Sequence, residues 1–346
     1  MKPYHYLMLT FLICTGCKKS DNPLIKKQID SLKKDTVIKV DTVTKIDTGW
    51  YSIADIPGGA RAYATGFVLS NKGYICSGVY KFAGDNIKGY DDMYMYDPAK
   101  NTWTLKAGLP DIGYYGIEGR MLPFSFVINN IAYAGGGISV NGIGGGDVEQ
   151  YDPVTDKWEL KVKKSGDTFD FSAADTCGNK GYIYSYLSNP HVWVFDPANA
   201  NPLTYGFSNI GDAANTNTWI TSGFNTLYDG WGGNYFAIFN PQTGHIATND
   251  PSQSNATYPD GGPISMNAVV FKNCIYVSIG DEGHLYRYNL KTNIWQTITR
   301  RTMGITSGVA CFLIGSKLYY VGGNNGVFSE STSKAWVINL EAYPEN

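Results

Sequence analysis

Short apolar segments separated by polar turns run along most of this chain. Ala64–Leu69 is a run of small and apolar residues suited to a strand that is buried on both faces. Asn71–Gly73 has turn chemistry and is expected to supply the positive φ angles of a tight hairpin. Tyr74–Gly78 then reads as the second strand, and Met93–Tyr96 as the third. The pattern predicts antiparallel β-structure built from hairpins.

A unit of this kind recurs along the chain, and its clearest marker is an aromatic residue or Ile followed by Asp or Asn. The markers are Tyr96-Asp97, Tyr151-Asp152, Phe195-Asp196, Phe239-Asn240, Tyr288-Asn289 and Ile338-Asn339. A period of about 50 residues in a β-rich, glycine-rich chain is typical of propeller blades. Each blade is a four-stranded sheet that cannot bury its faces alone, so the blades must stack around a common channel.

Two further positions repeat in phase with the marker. Small pairs follow the second strand as Ser77-Gly78, Gly135-Gly136 and Gly322-Gly323, and a Trp opens the fourth strand as Trp103, Trp158 and Trp295. A diglycine followed by a spaced Tyr and Trp resembles the kelch repeat. Six copies of the unit predict an all-β, six-bladed kelch-type β-propeller over residues 50–346. That family includes proteins similar to the central domain of galactose oxidase and to sialic acid mutarotases.

The last copy of the repeat indicates how the ring closes. It ends shortly after its third strand, Ala335–Leu340, which leaves no room for a fourth. The segment Thr48–Ile53 contains a strand with the expected Trp, Trp50. We therefore expect this N-terminal strand to complete the last blade, which removes free sheet edges that otherwise invite aggregation.

The first 49 residues read as an address and a tether. Residues 1–17 have a short apolar stretch that ends at Cys17, and this resembles a bacterial lipoprotein signal with Cys17 as the lipidated residue. Lys18 after that cysteine favours the outer membrane. Ordinary secretion with an incidental cysteine is the alternative. Residues 18–49 are rich in Lys and Asp and lack aromatic residues, so they are expected to form a flexible tether.

Charge limits the partners. Of the 28 Lys and Arg and 30 Asp and Glu in the chain, 19 and 25 lie in residues 50–346, which gives the propeller a net charge near −6. Nucleic-acid binding needs a basic field, so this surface argues against it. A protein or glycan ligand at the propeller face remains as the expected partner, with the membrane reached through the N-terminal lipid.

Few residues suit redox or metal chemistry. Past the signal the histidines are His191, His245 and His284, which fall in different blades without ligand-like spacing. A copper site like that of galactose oxidase is therefore not expected, and neither a metal nor a cofactor is predicted. No Cys-x-x-Cys motif is present. Cys76 and Cys311, from blades that are adjacent across the closure, are the one cysteine pair to test for a disulfide.

The mouth of the channel is the usual binding site of a propeller. When the blades are aligned on their first turn, Arg61 and Arg120 both enter innermost strands, with Glu118 and Asp170 close by and Arg301 upstream in its own loop. Guanidinium and carboxylate groups around one opening suit an anionic or polyhydroxylated ligand. The alternative role for such arginines is to hold neighbouring blades together.

Aromatic residues in the loops after the second strand offer another surface. Tyr80, Phe82 and Tyr90 lie in a long insertion of blade 1, and Trp231 lies in a short link of blade 4. Exposed aromatic rings stack on sugars or anchor protein partners. Packing of loops on blades is the alternative role.

Two functions remain open at this stage. The leading hypothesis is a lipid-anchored propeller of the cell envelope that binds a protein or a glycan without chemistry. The alternative is a carbohydrate-active propeller that resembles the sialic acid mutarotases. In that case Glu118 and Asp170 are the candidate general acid and base, beside Arg61 or Arg120 as the binding group for a sugar carboxylate.

Overall fold

The computed structural model is a propeller of six four-stranded antiparallel sheets. It describes residues 49–81, 88–111, 119–139, 141–164, 168–169, 172–185, 191–208, 219–223, 226–230, 236–248, 268–279, 284–299, 307–324 and 329–345. Within these ranges the helical structure amounts to one 3-10 turn, Leu340–Ala342. The all-β, six-bladed architecture predicted from the repeat is confirmed.

The first three blades follow the chain in order, each from the channel outwards. Strand β1 (Tyr51–Ile53) precedes them and belongs to the last blade. The strands of blades 1 to 3 are β2 (Thr65–Leu69), β3 (Lys72–Cys76), β4 (Met93–Asp97) and β5 (Thr102–Lys106); β7 (Phe124–Ile128), β8 (Ile131–Gly135), β10 (Asp147–Asp152) and β11 (Lys157–Lys163); and β12 (Ala173–Cys177), β13 (Lys180–Ser185), β14 (His191–Phe195) and β15 (Leu203–Ser208). A short extra ladder in blade 2 joins β6 (Arg120–Met121) to β9 (Ile138–Ser139).

The remaining blades repeat this arrangement. Their strands are β16 (Trp219–Gly223), β17 (Thr226–Gly230), β18 (Phe236–Asn240) and β19 (His245–Thr248); β20 (Ala268–Phe271), β21 (Cys274–Ile279), β22 (His284–Asn289) and β23 (Ile294–Thr299); and β24 (Ala310–Ile314), β25 (Lys317–Val321) and β26 (Ala335–Asn339), with β1 outermost. The innermost strands are neighbours in the order β24, β2, β7, β12, β16 and β20. The first strand of each blade therefore lines the channel.

The N-terminal strand closes the ring as expected. Strand β1 pairs antiparallel with β26, with Tyr51 opposite Val337. Just after β1, Ala54 donates its N–H to Asn101 of blade 1 and accepts from the Trp103 indole. Ala107, which follows the outer strand of blade 1, makes the same two bonds.

The partners of Ala107 are Asp156 and Trp158 of blade 2. Because the same two kinds of hydrogen bond form at both junctions, the closure between blades 6 and 1 has the geometry of the ordinary junction between blades 1 and 2.

The glycine of the first hairpin has a different role from the one expected of it. The turn residues with positive φ are Ser70 (48°) and Asn71 (59°), which leave Leu69 opposite Lys72 in the register. Gly73 lies inside β3. A Cβ atom there would stand 2.2 Å from the ring of Phe312 in blade 6, so Gly73 makes room for a neighbouring blade. The expectation that Gly73 supplies a turn conformation was wrong.

Three seams share this large-to-small packing. Phe67, Phe126 and Phe312 stand at the same place in the innermost strands, and each stacks on the Tyr opposite it at centroid distances of 5.0, 5.5 and 5.0 Å. Each Phe meets a small residue of the following blade: Phe312 meets Gly73, Phe126 meets Gly181, and Phe67 packs with Ala132. A ring fits only where the facing residue is small.

The other three seams invert the sizes. The residues opposite the equivalent Tyr are Asp175, Thr221 and Val269. The residues aligned with Gly73 in the following blades are Leu227, Ile275 and Leu318, all buried. Val269 and Leu318 share one apolar cluster. A large side chain in one blade thus faces a small one in the next, whichever blade carries the large one. The combined volume of the two side chains stays roughly constant around the ring, which keeps every seam closely packed.

Candidate functional site

The structure describes two of the five predicted mouth residues. Arg61 and Arg120 occupy equivalent places in adjacent blades, just before the innermost strands β2 and β7. Glu118, Asp170 and Arg301 lie outside the described residues. The residues next to two of them are placed: Gly119 packs closely on the backbone of Tyr90, and Phe169 accepts a hydrogen bond from Gly137 at 3.0 Å.

Arg61 is 1% exposed and is held on all sides. Its Nη1 donates to Asp92 Oδ1 at 2.5 Å and to the Ser77 carbonyl at 3.1 Å, and its Nη2 donates to Asp92 Oδ2 at 3.1 Å. The Tyr90 ring covers the guanidinium at 4.3 Å from the ring centroid. A bidentate, ring-covered guanidinium of this kind is a rigid structural element.

Arg120 makes the matching contacts in blade 2. It is 2% exposed, and its Nη1 donates to Asp147 Oδ2 at 2.7 Å and to the Gly136 carbonyl at 3.4 Å. Its Nη2 donates to the Pro110 carbonyl at 2.5 Å, in the link from blade 1. Asp147 itself is fully buried and also accepts from the Gly136 N–H at 3.2 Å.

We refer to Arg61–Asp92 and Arg120–Asp147 as the two Arg–Asp clamps. Each guanidinium binds the carbonyl sixteen residues later and a carboxylate at the start of the third strand. These side-chain contacts fix strands within one blade, and only the bond from Arg120 to the Pro110 carbonyl reaches the link from blade 1. The role of holding neighbouring blades together therefore remains a prediction for these arginines. Ligand binding by them remains a prediction.

Sequence reasoning missed the two carboxylates, although a signal was present. Asp92 and Asp147 each stand four residues before the Tyr of the repeated Tyr-Asp-Pro marker. An acid at one repeat position, with an arginine at another, indicates a partner pair in both blades. The pairing itself needs the three-dimensional contact, because 31 and 27 residues separate the two members.

The small pairs after the second strand explain how blades are tied at the mouth. Both members take positive φ: Ser77 64° and Gly78 99°, Gly136 58° and Gly137 83°, Gly322 69° and Gly323 94°. This turn directs the second N–H to the next blade, where Gly78 donates to Arg120 O at 2.9 Å and Gly323 to Arg61 O at 2.8 Å. The pair in blade 2 is therefore Gly136-Gly137, one residue later than the predicted Gly135-Gly136.

The same bonds define the register of blade 3. Gly137 donates to Phe169 O, so Phe169 holds the place of Arg61 and Arg120. Its ring is fully buried and packs edge-on against Phe124 at 5.6 Å and Trp193 at 6.2 Å. An apolar contact thus replaces the Arg–Asp clamp in this blade, and Asp170 follows one position later in the chain.

Glu149 is a carboxyl group that the sequence analysis did not single out. It is 1% exposed in β10, and its Oε1 lacks a hydrogen-bond partner among the described residues. Burial and then the nearby Asp147 raise the pKa of Glu149 to about 8, with Arg120 opposing the rise and Asp111 adding to it. One guanidinium therefore faces several carboxyl groups, and Glu149 stays largely protonated at pH 7.

Of the four predicted loop aromatics, the structure describes two, Tyr80 and Tyr90. Tyr90 is buried against Arg61, so it covers a clamp. Tyr80 is partly exposed, and its hydroxyl bonds Glu330 of blade 6, while its carbonyl accepts from Ser331 N at 3.0 Å. Phe82 and Trp231 lie outside the described residues. Tyr90 therefore has a packing role, and the backbone of Tyr80 is hydrogen-bonded to blade 6.

The remaining chemistry of the described part is sparse. Cys76, Cys177, Cys274 and Cys311 are all free thiols, so the candidate pair, Cys76 and Cys311, is not bridged. No cluster of three or more His, Cys, Asp or Glu suited to a metal ion occurs among the residues that the structure places. In the same residues no helix has the length and apolar character needed to cross a bilayer. Cys17 lies outside the described residues.

No family model matches the chain. A solved structure titled "Structure of YjhT" superposes with a TM-score of 0.61 over 83% of this chain and 97% of its own, at 12% identity, which reflects the fold alone.

Curated relatives add a sequence signal over part of the chain. The chain is 27% identical over 175 residues to N-acetylneuraminate epimerase of Salmonella typhi, which is 50% of this chain and 36% of that protein. It is 28% identical over 179 residues to the protein of the same name from Shigella sonnei, which covers 50% and 45%. A match to that of Yersinia enterocolitica reaches 36% over 77 residues, or 22% and 20%. The chain thus matches less than half the length of these relatives.

Proposed function

We propose that this propeller is carbohydrate-active and interconverts forms of N-acetylneuraminate or a closely related acidic sugar. The observation that carries the proposal is the similarity, over half of the chain, to proteins named N-acetylneuraminate epimerase. The six-bladed fold supports it, because a channel mouth built from six sets of loops is a ready binding site. Fold alone does not decide function, so the site chemistry has to be tested.

The proposed reaction is an exchange of anomers through ring opening. A general base takes the proton of the anomeric hydroxyl, and a general acid protonates the ring oxygen as the C–O bond breaks. Closure on the other face reverses both transfers. Glu118 and Asp170 are the proposed acid and base, and an arginine at the mouth would hold the sugar carboxylate.

The Arg–Asp clamps bear directly on that last role. Arg61 and Arg120 are buried and already bind Asp92 and Asp147. A sugar carboxylate would have to compete with these carboxylates or bind Arg301 instead. The proposed role of the two clamped arginines is therefore to keep the mouth rigid under the ligand, and direct contact falls to Arg301.

A second candidate is a binding module without chemistry, for a glycan or a protein. The observation that favours it is that Arg61 and Arg120 are both committed to ion pairs within their own blades. In this case Tyr80, Phe82 and Trp231 would provide the contact surface. The propeller would then act as a rigid frame for variable loops.

Anomer exchange separates the two candidates. The full chain is mixed with α-enriched N-acetylneuraminate, and the β-anomer is followed by proton NMR. Catalysis predicts exchange faster than the spontaneous rate, reduced about a hundredfold or more in Glu118→Gln or Asp170→Asn. Thr102→Ala, an exposed outer-strand variant, is the matched control. Saturable sugar binding without exchange would support the binding module and end the enzymatic proposal.

We propose further that the protein is held at the outer membrane by a lipid on Cys17. The support is the signal-like segment of residues 1–17, with small residues before the cysteine and Lys18 after it. Labelled palmitate should enter the wild-type chain in a Gram-negative host, and Cys17→Ser should abolish the label and release the protein from membranes. Label retained in Cys17→Ser would contradict the anchor.

A further inference from the structure

Blades 6, 1 and 2 carry the same small addition at the channel mouth. In each, a residue just before the innermost strand bridges to a residue just after the second strand. The bridged pairs are Ala62 with Val79 in blade 1, Met121 with Ile138 in blade 2 and Ser307 with Asn324 in blade 6. The three additions are structural equivalents, so their side chains can be compared directly.

Blade 6 differs from the other two blades in the polarity of its bridging side chains. In blades 1 and 2 the bridging side chains are apolar, and Val79, Met121 and Ile138 form one buried cluster. Blade 6 has a hydroxyl and an amide at these places, and Asn324 is only 2% exposed. Burying an amide is unfavourable unless it is hydrogen-bonded, and an apolar residue fits the same backbone elsewhere in this chain. A local departure from the repeat of this kind points to a function.

The polar groups form a string that spans the seam of blades 6 and 1. Ser307 Oγ donates to Asn324 Oδ1 at 2.5 Å, and the Tyr63 hydroxyl lies 3.4 Å from Ser307 Oγ. Tyr63 and Ser307 are both partly exposed, whereas Asn324 is buried behind them. The string therefore runs from a buried amide to two partly exposed residues.

The backbone fixes the place of Tyr63. Its φ of 57° is shared by Leu122 of blade 2 and, at 67°, by Gly308 of blade 6. Tyr63 N donates to Gly308 O at 2.7 Å, and Leu122 N donates to Tyr63 O at 2.8 Å. The strained turn belongs to the fold, since all three blades have it. The aromatic hydroxyl beside Ser307 is particular to this seam, and its position is set by two inter-blade bonds.

We propose that Tyr63 and Ser307 form a hydroxyl-binding subsite for a sugar at the seam of blades 6 and 1. Asn324 is a positioning residue that acts through Ser307. Neutral hydroxyls accept and donate to sugar hydroxyls without a charge to desolvate, and a Tyr ring offers a face for stacking. The subsite rests on the proposed function, because it completes a carbohydrate site at the same mouth.

The repeat provides the test variants. Ser307→Ala with Asn324→Val installs the residues that blade 1 already has at these places, and Tyr63→Phe removes one hydroxyl. Steady-state anomer exchange and NMR titration with N-acetylneuraminate and, separately, galactose are measured on the full chain. We expect KM to rise about three- to tenfold for each hydroxyl lost, with kcat within twofold, because one hydrogen bond to the ligand is removed.

A rescue variant separates positioning from folding. Asn324→Asp keeps the Oδ1 acceptor for Ser307, so its KM should stay close to the wild-type value. Asn324→Val lacks the acceptor, so its KM should rise. Thr102→Ala controls for handling, and thermal unfolding shows that each variant is folded. An unchanged KM in folded Ser307→Ala/Asn324→Val and Tyr63→Phe would overturn the subsite and leave the proposed function standing.

The reverse outcome is also distinct. If wild type binds a sugar without exchanging anomers, and the variants weaken that binding, the subsite is supported and the enzymatic function is rejected. If wild type binds neither sugar, the subsite is rejected together with the proposed function.

Discussion

At the scale of single residues, the main feature of this molecule is a pair of buried arginines, each bound to an aspartate of its own blade. In the clamp of blade 2, Arg120 and Asp147 are both buried, whereas in blade 1 Asp92 is 25% exposed. Such pairs contribute little net stability relative to an apolar pair, but removal of one member leaves an uncompensated charge. The two clamps therefore contain the same type of ion pair, fully buried in blade 2 and partly exposed at the carboxylate in blade 1.

The clamps predict unequal effects of one substitution. Asp147→Asn should lower the free energy of unfolding by about 3–5 kcal/mol, since Arg120 would remain charged in a buried site. Asp92→Asn should have a smaller effect, because its carboxylate is partly solvated and Arg61 keeps the Tyr90 ring. Urea titration of the three proteins at pH 7 measures this. Equal losses would mean that burial does not set the difference.

Glu149 predicts a pH dependence with a definite sign. Its pKa is raised from 4.5 to about 8 in the fold, so the folded state binds more protons than the unfolded chain between these values. The free energy of unfolding should therefore fall as pH rises from about 4.5 through 8. Glu149→Gln should flatten this slope. Urea titrations at pH 5, 7 and 9 test it, and parallel curves for both proteins would argue against a raised pKa.

Complementary sizes across each seam are the main feature at the scale of elements. Phe312 fills the space left by Gly73 at the seam of blades 6 and 1, while Val269 meets Leu318 at the adjacent seam of blades 5 and 6. The blades are thus alike in backbone and individually fitted in their side chains. Asp175 belongs to this set: it stands where other blades have Phe, and it accepts from Ser222 N of blade 4 at 2.6 Å. Burial raises the pKa of the Asp175 carboxyl.

Exchanging one size pair for another tests the packing. Gly73→Leu should destabilise by about 1–3 kcal/mol or more through overlap with Phe312, and Phe312→Val should destabilise by leaving a void. The double variant copies the Val269–Leu318 seam and should recover most of the loss. A double-mutant cycle by chemical denaturation measures the coupling. Additive losses would contradict size matching.

Ring closure is the property of the whole molecule on which the others depend. Trp50 is buried and packs on Tyr320 at 4.5 Å, just before β1 joins blade 6. At the other end of the chain, Asn273 of blade 5 donates to Glu345 and Arg287 donates to the Tyr343 carbonyl. The N-terminal end of the described chain therefore binds the blade farthest from it in sequence, and the C-terminal end binds the blade that precedes its own.

The closure predicts that Trp50 is a global anchor. Trp50→Ala should lower the free energy of unfolding by about 3–5 kcal/mol, because a large ring leaves a buried site. The same change at Trp103, which is only partly buried, should have a smaller effect. Intrinsic fluorescence and circular dichroism during urea unfolding should lose coincidence in Trp50→Ala if blade 6 opens first. Wild-type stability in Trp50→Ala would exclude a closing role.

Repetition made much of this molecule predictable. The marker of an aromatic residue or Ile followed by Asp or Asn recurs in all six blades, and the outer Trp and the small pair recur in some of them, because the blades share one four-stranded architecture. The common phase of these markers predicts the blade number. The missing fourth strand of the last copy predicted β1 in blade 6 in the same way. Arg61 and Arg120 could be matched to each other because they share one repeat position, and the structure gives them matching contacts.

The sequence by itself determined the β-strand pattern, the six-fold repeat and the closure, since hydrophobic period and turn chemistry act locally. Tertiary structure alone decided that Gly73 serves Phe312, that Asp92 and Asp147 hold the arginines, and that Glu149 keeps its proton. These depend on contacts between residues far apart in the chain, where burial and neighbouring charge set the free energy. The sequence period predicts the strands and turns of each blade, whereas tertiary packing determines which side chains of neighbouring blades are in contact.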